Sequence, residues 1–183
     1  MAKKISSLHI NTLRLARVHF LYGLTFAASI IIYDASKLIA PEAVLHRWKY
    51  TIGLLLIATV VWYLARLKKD TVGFQKSLIG ILICTDIIFA SFLVYADRGM
   101  ASLAVALYTV PLATAAALLS RSALLATAAF SAAAYAFVSV KYFVDFFNEG
   151  YKVQLYSTVG FYSAIFFIVA LLLTIAVRRK TDA

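Results

Sequence analysis

A chain of 183 residues that is 63% hydrophobic and only 14% charged carries far fewer charges than the ~25% of an ordinary soluble domain. Its mean hydropathy of +0.89 and its six apolar runs of bilayer-spanning length exclude a soluble fold and leave no room for a separate soluble domain. The formal charge of +10 does not point to nucleic acid. The Lys and Arg residues gather at the ends of the apolar runs, where they set orientation and meet anionic head groups of the lipid bilayer.

The expected fold class is all-α, a polytopic membrane protein with six transmembrane helices over a single domain, 1–183. The N-terminal residues carry Lys3, Lys4, Arg14 and Arg17 among Leu8, Leu13, Leu15 and Val18, which suggests an interfacial helix. The first span is placed at about 19–39. It is not read as a signal peptide, because the apolar run starts late. Pro41 then suits the first turn of a short helical stub, PEAVLHRWKY.

The second span, about 50–65, ends in the basic block Arg66, Lys68, Lys69, with Trp48, Tyr50, Trp62 and Tyr63 at its two ends as interfacial aromatics. The third and fourth, about 77–96 and 102–119, are joined by the loop DRGMA. The fifth, about 122–144, follows a tight turn near Arg121 and is rich in alanine. Ala128, Ala132 and Ala136 recur at four-residue spacing, a pattern that lets helix backbones approach closely. Ala113 and Ala117 on the fourth span offer an opposing surface. Lys141 and Asp145 form an i,i+4 pair at the end of the fifth span, read as interfacial. The sixth, about 156–177, runs directly into Arg178, Arg179 and Lys180.

Two anomalies share one depth. Asp86 lies nine residues after Ser77, and Pro111 nine before Ser120. Both therefore fall roughly 14 Å from the same membrane face at the α-helical rise. A carboxylate there costs about 2.5–3.5 kcal/mol on insertion scales, so it is expected to face protein and to carry its proton. Pro111 removes the donor to the Leu107 carbonyl, and Asp86 as a neutral acid is expected to donate to that carbonyl. Asp86, Pro111 and Leu107 are thus the candidate sensing or switching residues. The competing reading is a buried acid against a neighbouring Ser or Thr beside a structural kink.

Nothing in the chain assembles a catalytic or metal site. His9, His19 and His46 fall on separate segments without ligand spacing; His9 and His19 are read as interfacial and His46 as a loop residue. The seven glycines form no phosphate loop, and no nucleophile elbow is present. Neither an enzymatic activity nor a cofactor is expected.

The succession HFLYGLTFA, HRWKYTIGLLLIATVVWYL, CTDIIFASFLVYADRGMAS and RSALLATAAFSAAAYAF, with a last span ending VRRKTDA, resembles the N-terminal membrane sensor of bacterial two-component histidine kinases. The nearest group is the six-span sensors of pilin-gene and nitrogen-regulating kinases. In that family the loop after span three often reads Gly-Gly-x-x-Ser, where this chain has Arg98-Gly99-Met100-Ala101-Ser102. No phosphoacceptor His motif or ATP-binding box is present, and VRRKTDA falls where the family's cytoplasmic signalling helix begins. The resemblance implies a homodimer in the bacterial inner membrane. Its sixth span, through Arg178, Arg179 and Lys180, would pass a stimulus to a cytoplasmic kinase. A membrane-embedded protein, a lipid or a small amphiphile would supply that stimulus. The alternatives are a small-molecule-binding subunit of a vitamin or metal importer, and a membrane scaffold. An importer subunit is expected to show small-xxx-small spacing in span one, where this chain has Gly23, Ala27 and Ala28 among large residues, with only Gly23 and Ala27 of these three at that spacing.

With the N-terminus inside, twelve of the eighteen Lys and Arg residues fall on the cytoplasmic side, which favours both termini inside. In a Cys84→Ser background, single cysteines at Asp70 and Ala183 should label only from the cytoplasmic side and one at Asn148 only from outside. The reverse pattern would invert the topology.

Overall fold

A computed structural model describes residues 2–67, 71–147 and 152–181, and their side chains over 8–67, 71–147 and 152–177. The fold is all-α. Its helices are α1 (Ala2–Ala35), α2 (Pro41–Arg66), α3 (Val72–Ala96), α4 (Thr109–Ala116), α5 (Arg121–Phe146) and α6 (Lys152–Thr181). Two 3-10 segments, Gly99–Ala101 and Leu103–Tyr108, lie between α3 and α4. Five helices are long and apolar enough to cross a membrane, and Leu103–Ala116 is a shorter apolar sixth. The chain divides into two compact units, Met1–Thr85 and Asp86–Ala183, with the boundary inside α3.

In the first unit, α1 continues without a break through the segment expected to be a separate interfacial helix. No Pro or Gly interrupts it before Gly23. Thr12, Ala16, His19, Gly23 and Ile30 are buried along one face that runs across that supposed joint. His19 is therefore an interior residue, not an interfacial one, and its Nδ1 pairs with the Leu15 carbonyl at 2.8 Å. The helix ends at Ala35 rather than 39 in a left-handed cap. Lys37 takes φ 52°, while Leu38 N–H donates to the Tyr33 carbonyl and Lys37 N–H to that of Asp34. That is the pair of reverse bonds by which a helix satisfies its last carbonyls.

Pro41 opens α2 in its first turn. The stub expected there is the beginning of α2 itself, so His46 lies on a helix, its Nδ1 paired with the Glu42 carbonyl at 2.7 Å. Ala16, Val61, Ala65, Leu78 and Leu82 form the apolar core of this unit. At one end Trp62 takes the guanidinium groups of Arg66 and Arg17 at 4.5 and 5.9 Å from its ring centroid. Lys68 and Lys69 of the basic block lie outside the described residues.

The second unit holds the end of α3, both 3-10 segments, and α4 to α6. Span four is not one kinked helix. Residues 103–108 are 3-10, and α4 begins only at Thr109, which puts Pro111 in the first turn of an α-helix. The preceding 3-10 turn leads straight into this start, Thr109 N–H donating to the Ala106 and Leu107 carbonyls, so Pro111 lies just past a 3-10-to-α junction and omits one bond there. Ser102 caps the segment by accepting from Ala104 N–H. The tight turn before α5 falls at residues 117–120, one step earlier than expected, with Leu119 at φ 51° and Ser120 as the N-cap.

The turn after α3 is tied to α5. Arg98 and Gly99 take φ 77° and 61°, and a Cβ on Gly99 would meet the Tyr142 ring at 2.6 Å. Gly99→Ala should therefore destabilise the chain by about 2 kcal/mol or more, combining left-handed strain with displacement of a ring. Gly160→Ala, where a Cβ meets nothing within 4 Å, should be neutral or slightly stabilising. Thermal unfolding of both variants in one detergent checks the contrast.

Candidate functional site

Hydroxyl-bearing side chains inside an apolar span need partners from the protein, because the hydrocarbon offers none. The second unit collects such groups around one carboxyl. Asp86 is 1% exposed, and its Oδ2 lies 3.4 Å from Thr114 Oγ1 on α4. Thr114 Oγ1 also donates to the Val110 carbonyl at 2.9 Å. A hydroxyl has one proton, and the shorter bond claims it. The Asp86–Thr114 contact then closes as a hydrogen bond when the carboxyl supplies the proton. Asp86 does not meet the Leu107 carbonyl; it meets Thr114, the arrangement of the competing reading in which the acid is buried against a neighbouring Thr. Because α4 starts at Thr109, Leu107 belongs to the 3-10 segment and is not the residue facing Asp86. Pro111 is buried beside this contact.

One turn further along α3, Ser91 Oγ donates to the Ile87 carbonyl at 2.7 Å and lies 2.7 Å from Tyr108 Oη. With the serine proton committed, Tyr108 is the donor. Tyr108 is fully buried, and its ring packs on Phe166 of α6 at 5.4 Å and edge-on to Tyr135 of α5 at 5.9 Å. Tyr135 in turn meets Tyr162 at 5.7 Å and Phe166 at 6.1 Å, both edge-on. These rings connect α3, the 3-10 segment, α5 and α6 through a single cluster.

The α5 face turned to this interior reads Leu124, Thr127, Ala128, Ser131, Tyr135, Ser139 and Phe143. The alanine repeat is only partly on it. Ala128 is buried, Ala132 and Ala136 lie half-buried at its margin, Ala117 is half-buried and Ala113 is exposed. Pro111, Leu112, Thr114 and Ala115, not Ala113, are the α4 residues that reach the interior. The opposing small-residue surface expected from Ala113 is therefore absent at that position.

At the α5 terminus Lys141 Nζ and Tyr95 Oη both donate to Asp145 Oδ2, at 2.8 and 2.6 Å. The pair expected from sequence is a three-member group with a tyrosine from α3. Arg178, Arg179 and Lys180 continue α6, their side chains lying outside the described residues. Among the described residues, no three His, Cys, Asp or Glu side chains are grouped to hold a metal ion.

The chain matches the PilS-like transmembrane domain over residues 3–183. It belongs to that family. No curated protein and no solved structure matches it. A PilS-like transmembrane domain is a multi-pass membrane module, and the aromatic cluster described above is how this one joins its last helix to the others of its unit. Sequence reasoning singled out Asp86 but missed Ser91, Tyr108, Tyr135 and Phe166. Tyr135 carried a signal, as the one large polar side chain inside the alanine-rich stretch AAAYAF.

Tyr108→Phe removes one donated hydrogen bond while leaving Ser91 bonded to Ile87. It should cost about 0.5–1.5 kcal/mol. Tyr108→Ala opens a hole among the rings and should cost about 3–5 kcal/mol. Comparing the two by unfolding in mixed micelles separates the hydroxyl from the ring.

Proposed function

We propose that this PilS-like domain is the membrane sensor module of a two-component histidine kinase in the bacterial inner membrane, acting as a homodimer. It relays an in-membrane or interfacial stimulus through α6 to a cytoplasmic kinase. The observation that carries this reading, beside the family match, is the placement of α6. Only 11% of its most apolar stretch is buried, against 22–56% in the other four long helices. Leu155, Phe166 and Ala170 anchor it, and Tyr156, Phe161, Ile168, Leu172 and Ile175 are exposed. A helix held by one stripe is free to use another as a seam with its symmetry mate.

The element suited to two arrangements is the 3-10 segment Leu103–Tyr108. Runs of 3-10 beyond three or four residues are uncommon and often mark hinges. Converting six residues to α-geometry shortens the segment by roughly 3 Å and changes its winding by roughly 120°. Tyr108 could not then keep both Ser91 and Phe166. The Asp86–Thr114 contact fixes the next turn of the same segment, so the carboxyl biases which arrangement is held.

Two measurements test this. In a sensor–kinase fusion, Asp86→Leu removes a desolvated polar group without orphaning Thr114. It should leave the melting temperature equal or higher while confining kinase output to one state. Asp86→Asn should keep a donor and change output modestly. If Asp86→Leu leaves the range of output unchanged, the carboxyl is not part of a switch. Separately, cysteine crosslinking along residues 163–176 should peak with a period near 3.5 residues, the signature of a helical seam. Complete absence of crosslinks would favour the importer or scaffold reading.

A further inference from the structure

The turn after α3 and the end of α5 together surround a cavity of about 280 Å³. Tyr142, Phe143 and Phe147 supply apolar wall. Of its polar lining residues, Arg98 is exposed and Ser139 is buried at 1% exposure.

Arg98 is held in place at a cost. It is a non-glycine residue at φ 77°, a left-handed conformation that L-residues rarely adopt without support. Gly99 beside it is packed against Tyr142, so the turn cannot relax toward α5. Its guanidinium, charged at any ordinary pH, makes no ion pair among the described residues.

Ser139 is anomalous in a different way. Eight other helix hydroxyls, on Thr12, Thr25, Thr59, Thr85, Ser91, Thr114, Thr127 and Thr174, donate to the carbonyl four residues back. Ser139 does not, and its buried Oγ has no hydrogen-bond partner within range. The Tyr135 hydroxyl, one turn back, is its polar neighbour and interacts with it from outside hydrogen-bond distance. A buried hydroxyl with so loose a partner keeps hydrogen-bonding capacity for a closer one.

We propose that this cavity binds an anionic amphiphile, with its acidic head on Arg98 and its apolar portion against Tyr142, Phe143 and Phe147. Ser139 takes any polar atom carried along the tail. The volume is roughly twice that of an engineered cavity that accepts benzene, which sets the enclosed portion at about ten heavy atoms. Carboxylate and phosphate heads both suit a planar guanidinium fork, so a free fatty-acid anion and an anionic phospholipid share the required chemistry. The inference goes beyond the relay: it concerns a different site and is read by binding alone.

The test uses the full chain in phosphatidylcholine nanodiscs with a photoreactive ten-carbon carboxylate, its adducts mapped by mass spectrometry. Adducts should concentrate on residues 142–147. Decanoate should displace the probe, while decanol should be at least tenfold weaker. Arg98→Gln should raise the half-maximal probe concentration at least tenfold. Ser139→Leu and, from the opposite wall, Ala101→Phe should each abolish labelling, judged in whichever variant keeps its melting transition. Phosphatidylglycerol in the nanodisc distinguishes the sources. Suppressed labelling assigns the site to an anionic phospholipid, and undiminished labelling assigns it to a free carboxylate. Equal competition by decanol, adducts absent from 142–147, or labelling that survives Arg98→Gln and a folded cavity-filling variant would overturn the proposal.

Discussion

The fourth apolar segment has fourteen residues, Leu103–Ala116, in which to do what the other helices do with 25 or more. As a plain α-helix it would reach roughly 21 Å, well short of a ~30 Å hydrocarbon core. Winding the first six residues as 3-10 raises the reach to roughly 24 Å. This stretched segment accounts for several other features. It places Pro111 just past the 3-10-to-α junction. It brings Tyr108 to Ser91 and Thr114 to Asp86. It also requires an abrupt entrance, which Ser102 supplies as a cap and Arg98-Gly99 as a left-handed turn.

The interior of the second unit is polar enough to carry a penalty if its partners were lost. Its groups fall into two classes. Thr114, Thr127 and Ser91 satisfy themselves on their own helices, and Thr114 and Ser91 then share what remains with a neighbour. Ser131, Tyr135 and Ser139, spaced four residues apart along α5, have no such bond. The first class fixes packing, since each bond is made whatever else is present. The second leaves donors and acceptors available for a change of state or a ligand, and they lie together on the helix face that carries the aromatic cluster.

Much of the fold was legible because hydrocarbon imposes length and polarity rules that composition must obey. Long apolar runs and the single intramembrane acid could be found by inspection. What was not legible depended on continuity and rotation. The joint expected near His19 vanished because one small-residue face continues across it. His19 itself was misread because a basic end usually means an interface, whereas here the imidazole packs inward and bonds its own helix. The Leu107 assignment failed because it assumed α-geometry through Pro111. In 3-10 winding, residues advance by 120° rather than 100° each, so the partner facing Asp86 shifts to another residue. Alanine spacing misled for a related reason: it marks where close approach is possible, but Tyr135 and Ser139 decided which face of α5 turned inward.

α6 leaves the interior through few attachments, and their nature bears on the proposed relay. Phe166 touches both Tyr108 and Tyr135, so it reports on the 3-10 segment and on α5 at once. Ala170 one turn later is fully buried, but beyond it the described side chains to Val177 are exposed or half-buried. A helix fixed near its middle and loose toward its end converts a small displacement of its anchor into a larger one at its terminus. Ring packing is discrete rather than elastic, because interiors are close-packed and side chains occupy staggered wells. A change at Tyr108 would therefore reach α6 as a choice between packings, not as a graded push.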